Sequence, residues 1–378
     1  MKFINRKFDV LDNTTEIELL HTLKKFPVFM GTTNQNYKKD LKADMSWFIS
    51  KKSGMIQLKK LIPLQILYQN SHDSGVIGKV WDKHHTSFCK FIEKYKHKKI
   101  IEIGGANGIL ANKFHKNNKK TNWIIIDPNS KPLKNCKAKF INKFYDENIK
   151  LDYNNSTIVH SHTLEHIYDP LKFMSLISKK INKNRLIFSV PNIKEMVLRK
   201  YTNAINFEHT YFLTEEFTKY YLDLFNFEIE SKKYFLNDHS IFYSVKKKSK
   251  KNKRKIKLKN YYKENKKIFN NFIKYNEKIV DDLNTKIKKC KGNVFLFGAH
   301  IFSQYLLCIG LSKKKIKYIL DNDTSKQSKR LYGTRLFVKS PKILAKENNP
   351  TVILKAGVYN SEIRKDILNN INSKTNFL

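Results

Sequence analysis

The stretch Lys99-Ile100-Ile101-Glu102-Ile103-Gly104-Gly105-Ala106-Asn107-Gly108 decides the fold. An apolar run ending in a carboxylate and a glycine turn reads as a buried strand that feeds a helix. A second apolar run, Asn122 to Asp127, ends on an acid 23 residues after Gly104. This arrangement suits a nucleoside. Gly104, Gly105 and Gly108 let the backbone approach a ligand, the following helix presents N–H groups to its anionic end, and Asp127 can accept hydrogen bonds from ribose hydroxyls. A dinucleotide fingerprint needs glycines at 104, 106 and 109, where the chain has Gly104, Ala106 and Ile109, so that reading fails. Asp127-Pro128-Asn129 also reads as a plain turn starter, but its pairing with Glu102 favours the ligand role.

Working outward, strand and helix patterns alternate from Lys99 to about Lys246: strands at Lys99 to Ile103, Asn122 to Asp127, Thr157 to Ser161 and Arg185 to Val190, with helices at Ala111 to Lys116, Pro170 to Ile181 and Thr214 to Leu224. Such alternation predicts a parallel sheet covered on both faces. Residues 246–259 hold ten Lys or Arg and no acid, which marks a solvated boundary. Ile268, Phe272, Ile279, Leu283 and Ile287 then recur near the helical period and predict a long amphipathic helix ended by Lys289 to Gly292. A strand at Asn293 to Phe297, the turn Gly298-Ala299-His300 and a strand ending in Asp321-Asn322-Asp323 repeat the opening grammar. Gly298 serves a nucleotide site or merely a tight turn there. The predicted class is therefore α/β, with a Rossmann-like domain at 96–245, a basic linker and long helix at 246–290, a smaller Rossmann-like domain at 291–378, and a small accessory or substrate region at 1–95.

The formal net charge of +41 first suggests nucleic acid. Only 7 of the 74 basic residues are arginine, however, and phosphate and base recognition leans on the bidentate guanidinium. Excess lysine reads as solvated surface. Cys89, Cys136, Cys290 and Cys308 form no C-x-x-C pair, which fits a reducing cytoplasm and excludes a disulfide framework. No stretch approaches the roughly 18 apolar residues of a membrane helix, so no membrane insertion is expected. His160, His162 and His166 lack a carboxylate or cysteine at strong ligand spacing, and no metal site is expected among them.

Glu102, Gly104 and Gly108 resemble motif I of the S-adenosylmethionine (SAM) methyltransferases, E-x-G-x-G-x-G, with Ala106 at the middle glycine. Leu164-Glu165-His166 with Asp169-Pro170 resembles the L-E-H-x-x-D-P stretch after the fourth strand of small-molecule SAM methyltransferases. That likeness implies that His162 and Leu164 line the methyl donor. Ser189-Val190-Pro191-Asn192 and Asn206-Phe207-Glu208-His209-Thr210-Tyr211-Phe212 have counterparts in the same group. So do Phe297-Gly298-Ala299, Asp321-Asn322-Asp323 with Lys326, Gly333-Thr334, Ser340-Pro341 and Tyr359-Asn360-Ser361-Glu362-Ile363. Together they resemble the sugar C-methyltransferase family, which joins a zinc-binding N-terminal region, a central SAM domain of the class I methyltransferase type and a C-terminal Rossmann-like domain. The resemblance implies SAM as cofactor, a small-molecule or nucleotide-linked sugar as substrate, His209 as the base and Glu208 as the group that orients it.

Two departures stand out. The stretch Ser50 to Leu58 has none of the family's zinc cysteines, so that zinc is expected to be absent. Asn206 stands where the family has a tyrosine two residues before the E-H pair, which brings an oxygen acceptor in beside a carbon acceptor. His72, His84 and His85 lie near the pocket or in solvated turns. The expected activity is methyl transfer to a sugar or sugar-linked substituent in surface polysaccharide biosynthesis, capsule or lipooligosaccharide. The competing readings are a nucleic-acid methyltransferase, which predicts a catalytic Cys or an N-P-P-Y-like motif where the chain has His160 to His166, and a non-catalytic SAM- or nucleotide-binding module.

Overall fold

The computed structural model describes residues 2–68, 79–181, 184–249 and 257–378. His72, and residues 250–256 of the basic run, lie outside the described residues. The chain groups into two compact units: Met1–Glu18, Phe48–Glu195 and Glu208–Lys263 form the first, and Leu19–Trp47, Met196–Phe207 and Glu264–Leu378 the second. Residues before 95 therefore contribute to both. Among the described residues no helix is long and apolar enough to cross a membrane.

The first unit is built on seven strands: β1 (Lys99–Ile103), β2 (Asn122–Ile126), β3 (Lys139–Ile141), β4 (Ser156–Ser161), β5 (Arg185–Pro191), β6 (Phe227–Phe235) and β7 (Ser240–Lys247). Their spatial order is β6-β7-β5-β4-β1-β2-β3. All pairs are parallel except those made by β7, which runs antiparallel to both β5 and β6. The order reverses between β1 and β4, so the crevice beyond their carboxyl ends is the switch point where open α/β sheets bind ligands.

Strand residues alternate between two cores, as the pleat requires. Ile101, Ile103, Ile126, Ile158 and Phe188 point to one face, which is covered by Phe173 and Ile177 of α1 (Pro170–Lys180) and by Phe217 and Tyr221 of α2 (Glu215–Leu224). Ile100, Ile125, Val159 and Ile187 point to the other. There Phe88 and Phe91 of the helix Lys79–Ile92, and Leu110 and Phe114 of the short helix Ile109–Phe114, close over them. Asp169 starts α1 by accepting the Lys172 N–H, and Pro170 fills the first turn without wasting a donor.

The second unit carries five parallel strands: β8 (Val294–Phe297), β9 (Ile316–Leu320), β10 (Val338–Lys339), β11 (Thr351–Ile353) and β12 (Asn376–Phe377), in the order β10-β9-β8-β11-β12. The long helix runs Tyr262–Lys289 and buries Phe269, Phe272, Ile273, Val280, Leu283 and Ile287. Ile268 and Ile279, expected on that face, are only half-buried. Phe269 and Ile273, with Val280, set the stripe one position over, as the helical repeat allows.

Candidate functional site

The loop after β1 is shaped by what surrounds it. Gly104 and Gly108 sit at φ +74° and +78°, and a Cβ at Gly104 would come within 2.6 Å of the Thr163 hydroxyl oxygen. At Gly108 it would meet Cys136 Sγ, also at 2.6 Å. Gly105 has ordinary backbone angles, yet a Cβ there would lie 2.7 Å from the Glu102 carboxyl carbon. All three glycines are thus required by the protein's own packing. Glu102, 2% exposed, lies beneath the loop, and its Oε2 accepts from Trp123 Nε1 at 2.8 Å. Burial pushes its pKa up to about 8, with the nearby Asp127 charge adding to the rise.

Asp127 follows β2 and braces this loop. Its Oδ2 accepts from the Ala106 N–H at 3.0 Å and its Oδ1 from the Asn129 N–H at 2.9 Å. These bonds are those of the turn reading of Asp127, and they use two of a carboxylate's roughly four acceptor positions. The N–H groups of Gly104 and Gly108 bond to Ile126 and Gly105 carbonyls. The second unit repeats this device: Gly298 is at φ +100°, Ala299 N–H donates to Asp321 Oδ2 at 2.8 Å, and Asp323 N–H to Asp321 Oδ1 at 2.9 Å. There, however, Lys326 Nζ stands 3.3 Å from Asp321 Oδ2, occupying the carboxylate with a fixed cation.

Ala106 holds φ +44°, a left-handed conformation that costs a residue with a Cβ about 1–2 kcal/mol. Ala106→Gly relieves this at a smaller cost in chain entropy. The variant is expected to be more stable by about 0.5–1 kcal/mol, read as a higher melting temperature; a lower one contradicts the account.

Beyond β4 the chain turns sharply. His160, still in the strand, stacks on Phe188 in the core at 4.9 Å, and burial lowers its pKa to about 3. His162 was expected on the same side as His160. At φ +50° it instead turns toward the rings of Trp81 and His84, 5.0 and 5.2 Å away. Leu164 is enclosed in the apolar core, and its carbonyl accepts the Tyr211 hydroxyl. Glu165 is fully buried, with Oε1 3.3 Å from His162 Nδ1 and 3.8 Å from His166 Nε2. Burial raises its pKa, and His166 and His209 draw it back down.

Glu208 and His209 come to the same place. Glu208 Oε2 is 3.9 Å from His166 Nδ1, the His166 and His209 rings are 5.4 Å apart, and Glu165, His166 and His209 each present a ligand atom within 4.8 Å of the others. Tyr68 Oη lies 3.4 Å from His166 Nδ1. The segment carrying His209 is clamped by the chain's beginning. Buried Arg6 donates to the Thr210 carbonyl at 2.7 Å and to the Leu58 and Tyr168 carbonyls, while Leu58 N–H also donates to Thr210. Glu165, His166 and Tyr68 thus join Glu208 and His209 in one acid–base cluster. The resemblance sets Glu165 and His166 in the stretch that lines the methyl donor and implies no acid–base role for them. Tyr68 and Arg6 carried no local signal, because only the fold brings them near.

Two family models match in tandem. A methyltransferase domain matches residues 81–232, and a C-methyltransferase C-terminal domain matches residues 240–378. No curated protein matches the chain. Solved structures similar to part of it include the PH0226 protein of Pyrococcus horikoshii OT3 (10% identity, 46% of this chain and 94% of that one, TM-score 0.38). A SAM-dependent methyltransferase from Mesorhizobium loti is 11% identical over 44% of this chain and 96% of that one, with TM-score 0.36. Magnesium protoporphyrin IX methyltransferase of Synechocystis PCC 6803, solved with S-adenosylhomocysteine (SAH), is 13% identical over 49% and 93%, with TM-score 0.37.

The cofactor is SAM, and the residues present suit it: a glycine loop at the switch point, with the Asp127 carboxylate at the end of β2. With a methyltransferase domain followed by a C-methyltransferase C-terminal domain, the chain is a SAM-dependent methyltransferase.

Proposed function

We propose that the protein methylates a sugar or a sugar-linked substituent, on carbon or oxygen, during surface polysaccharide synthesis such as that of capsule or lipooligosaccharide. The observation that carries this reading is the match of residues 240–378 to the C-methyltransferase C-terminal domain, next to a methyltransferase domain. A nucleotide-linked acceptor would be used in the cytoplasm.

SAM supplies a methyl group on a sulfonium. The chain's work is to align acceptor and methyl, exclude water and take up the acceptor's proton. The loop Gly104-Gly105-Gly108 would bring backbone close to the cofactor, Asp127 would accept hydrogen bonds from its ribose hydroxyls, and Glu102 and Leu164 would support the wall from within. His162 lines the same edge. His209 removes the acceptor's proton, and Glu208 orients it. Glu165 and His166 extend this pair into the buried interior.

Incubation with methyl-labelled SAM and a panel of nucleotide sugars, carbohydrate phosphates and RNA tests the reading. Label is expected in a carbohydrate. Label in RNA alone, or in none of the panel's sugars while another small molecule is labelled, overturns it.

A further inference from the structure

A second cluster, separate from the Glu208–His209 pair, is formed by residues far apart in sequence. His84 lies on the helix Lys79–Ile92, His162 follows β4, and His239 sits in the turn between β6 and β7. Each presents a ring nitrogen within 4.8 Å of the other two. Two of these rings converge on one point: His162 Nε2 and His239 Nδ1 lie 2.7 and 2.6 Å from the Ser240 hydroxyl oxygen. That hydroxyl has a single proton to offer to either ring.

His84 is the telling member. It is fully buried, 0% exposed, and among the described residues neither of its ring nitrogens has a hydrogen-bond partner. Leaving a buried polar atom unsatisfied costs about 1–3 kcal/mol, so an interior imidazole without partners calls for a ligand. Phe235 and Phe242 pack edge-on to its ring at 5.4 and 5.2 Å, and Trp81 covers His162 and His239 at 5.0 and 4.9 Å. Histidine ligates a metal through the lone pair of an uncharged ring nitrogen.

The outer shell has the matching feature. Glu165 Oε1 stands 3.3 Å from His162 Nδ1, so a proton on Nδ1 leaves the Nε2 lone pair directed at the cluster. A carboxylate behind a ligating histidine is the usual support of a zinc ligand. We propose that His84, His162 and His239 bind one divalent transition ion of the zinc class, with Glu165 positioning His162 and the Ser240 hydroxyl beside the open coordination position. This site uses no cysteine and none of the residues Ser50 to Leu58.

The test uses the untagged full-length protein, stripped with a chelator and titrated with Zn²⁺ by calorimetry and with Co²⁺ by absorption. One equivalent is expected, with cobalt d–d bands and no thiolate charge-transfer band. His84→Ala and His239→Ala should each weaken Zn²⁺ binding by roughly a hundredfold or more, and Glu165→Gln by about 10–100-fold. His209→Ala should bind as the wild type, which separates this site from the Glu165–His166–His209 group. If His84→Ala fails to fold, by circular dichroism, then His239→Ala and the wild-type cobalt spectrum decide. A wild type that binds neither ion, a thiolate band, or full affinity in His239→Ala overturns the proposal.

Discussion

His209→Ala is expected to lower the turnover of the methylated acceptor by about 10²–10⁴-fold, the usual contribution of a positioned general base, while leaving SAH affinity unchanged. The reason is spatial. His209 belongs to the cluster of Glu165, His166 and Glu208, whereas the glycine loop and Asp127 are held by their own hydrogen bonds, from Gly104 N–H to the Ile126 carbonyl, from Cys136 Sγ to the Gly108 carbonyl and from Ala106 N–H to Asp127. A merely structural His209 would change stability or affinity and would not respond to added base. Exogenous imidazole should therefore restore part of the lost turnover in the alanine variant. Unchanged turnover removes His209 from the chemistry, and turnover and SAH affinity falling together assign it to packing.

Glu102→Gln is expected to stabilise the protein at neutral pH by up to roughly 3 kcal/mol. In the folded chain burial holds the Glu102 pKa near 8, against an ordinary 4.5. A carboxyl whose folded pKa is raised contributes most below the unfolded pKa, and that contribution is lost as pH rises toward the folded value. Between pH 4.5 and 8 the unfolded chain ionises this group while the folded chain keeps its proton, so stability attributable to Glu102 falls across that window. Glutamine keeps an acceptor for Trp123 Nε1 and removes the titration. Denaturant unfolding from pH 5 to 8 should show the wild type losing stability relative to Glu102→Gln with rising pH. Parallel curves would mean that Glu102 is ionised in the folded state.

The parts of this protein most legible in sequence were those carried by local pattern. The strand Lys99–Ile103, the glycine turn, Asp127 and the strand Arg185–Pro191 are read from short apolar runs and their punctuation. Boundaries moved where tertiary packing overrode it: the helix expected at Ala111 to Lys116 runs Ile109–Phe114, because the left-handed Gly108 starts it directly. His162 was placed by strand alternation, which stops one residue earlier at Ser161. The expectation that His160, His162 and His166 hold no metal rests on their mutual placement and on the lack of a carboxylate or cysteine at ligand spacing. His84 and His239 reach His162 from a helix and a hairpin turn on either side of it in sequence, and no spacing rule can register that. The same holds for Arg6, whose guanidinium spans to Thr210 across 204 positions.

Binding of SAH to the wild type and to Asp127→Asn tests the central claim most directly. Calorimetry should show one SAH per chain and no binding of NADH, with Asp127→Asn about 10–100-fold weaker, as expected for the loss of hydrogen bonds to a charged acceptor. NADH binding without SAH binding, or an Asp127→Asn variant that binds SAH as the wild type does, would contradict the account.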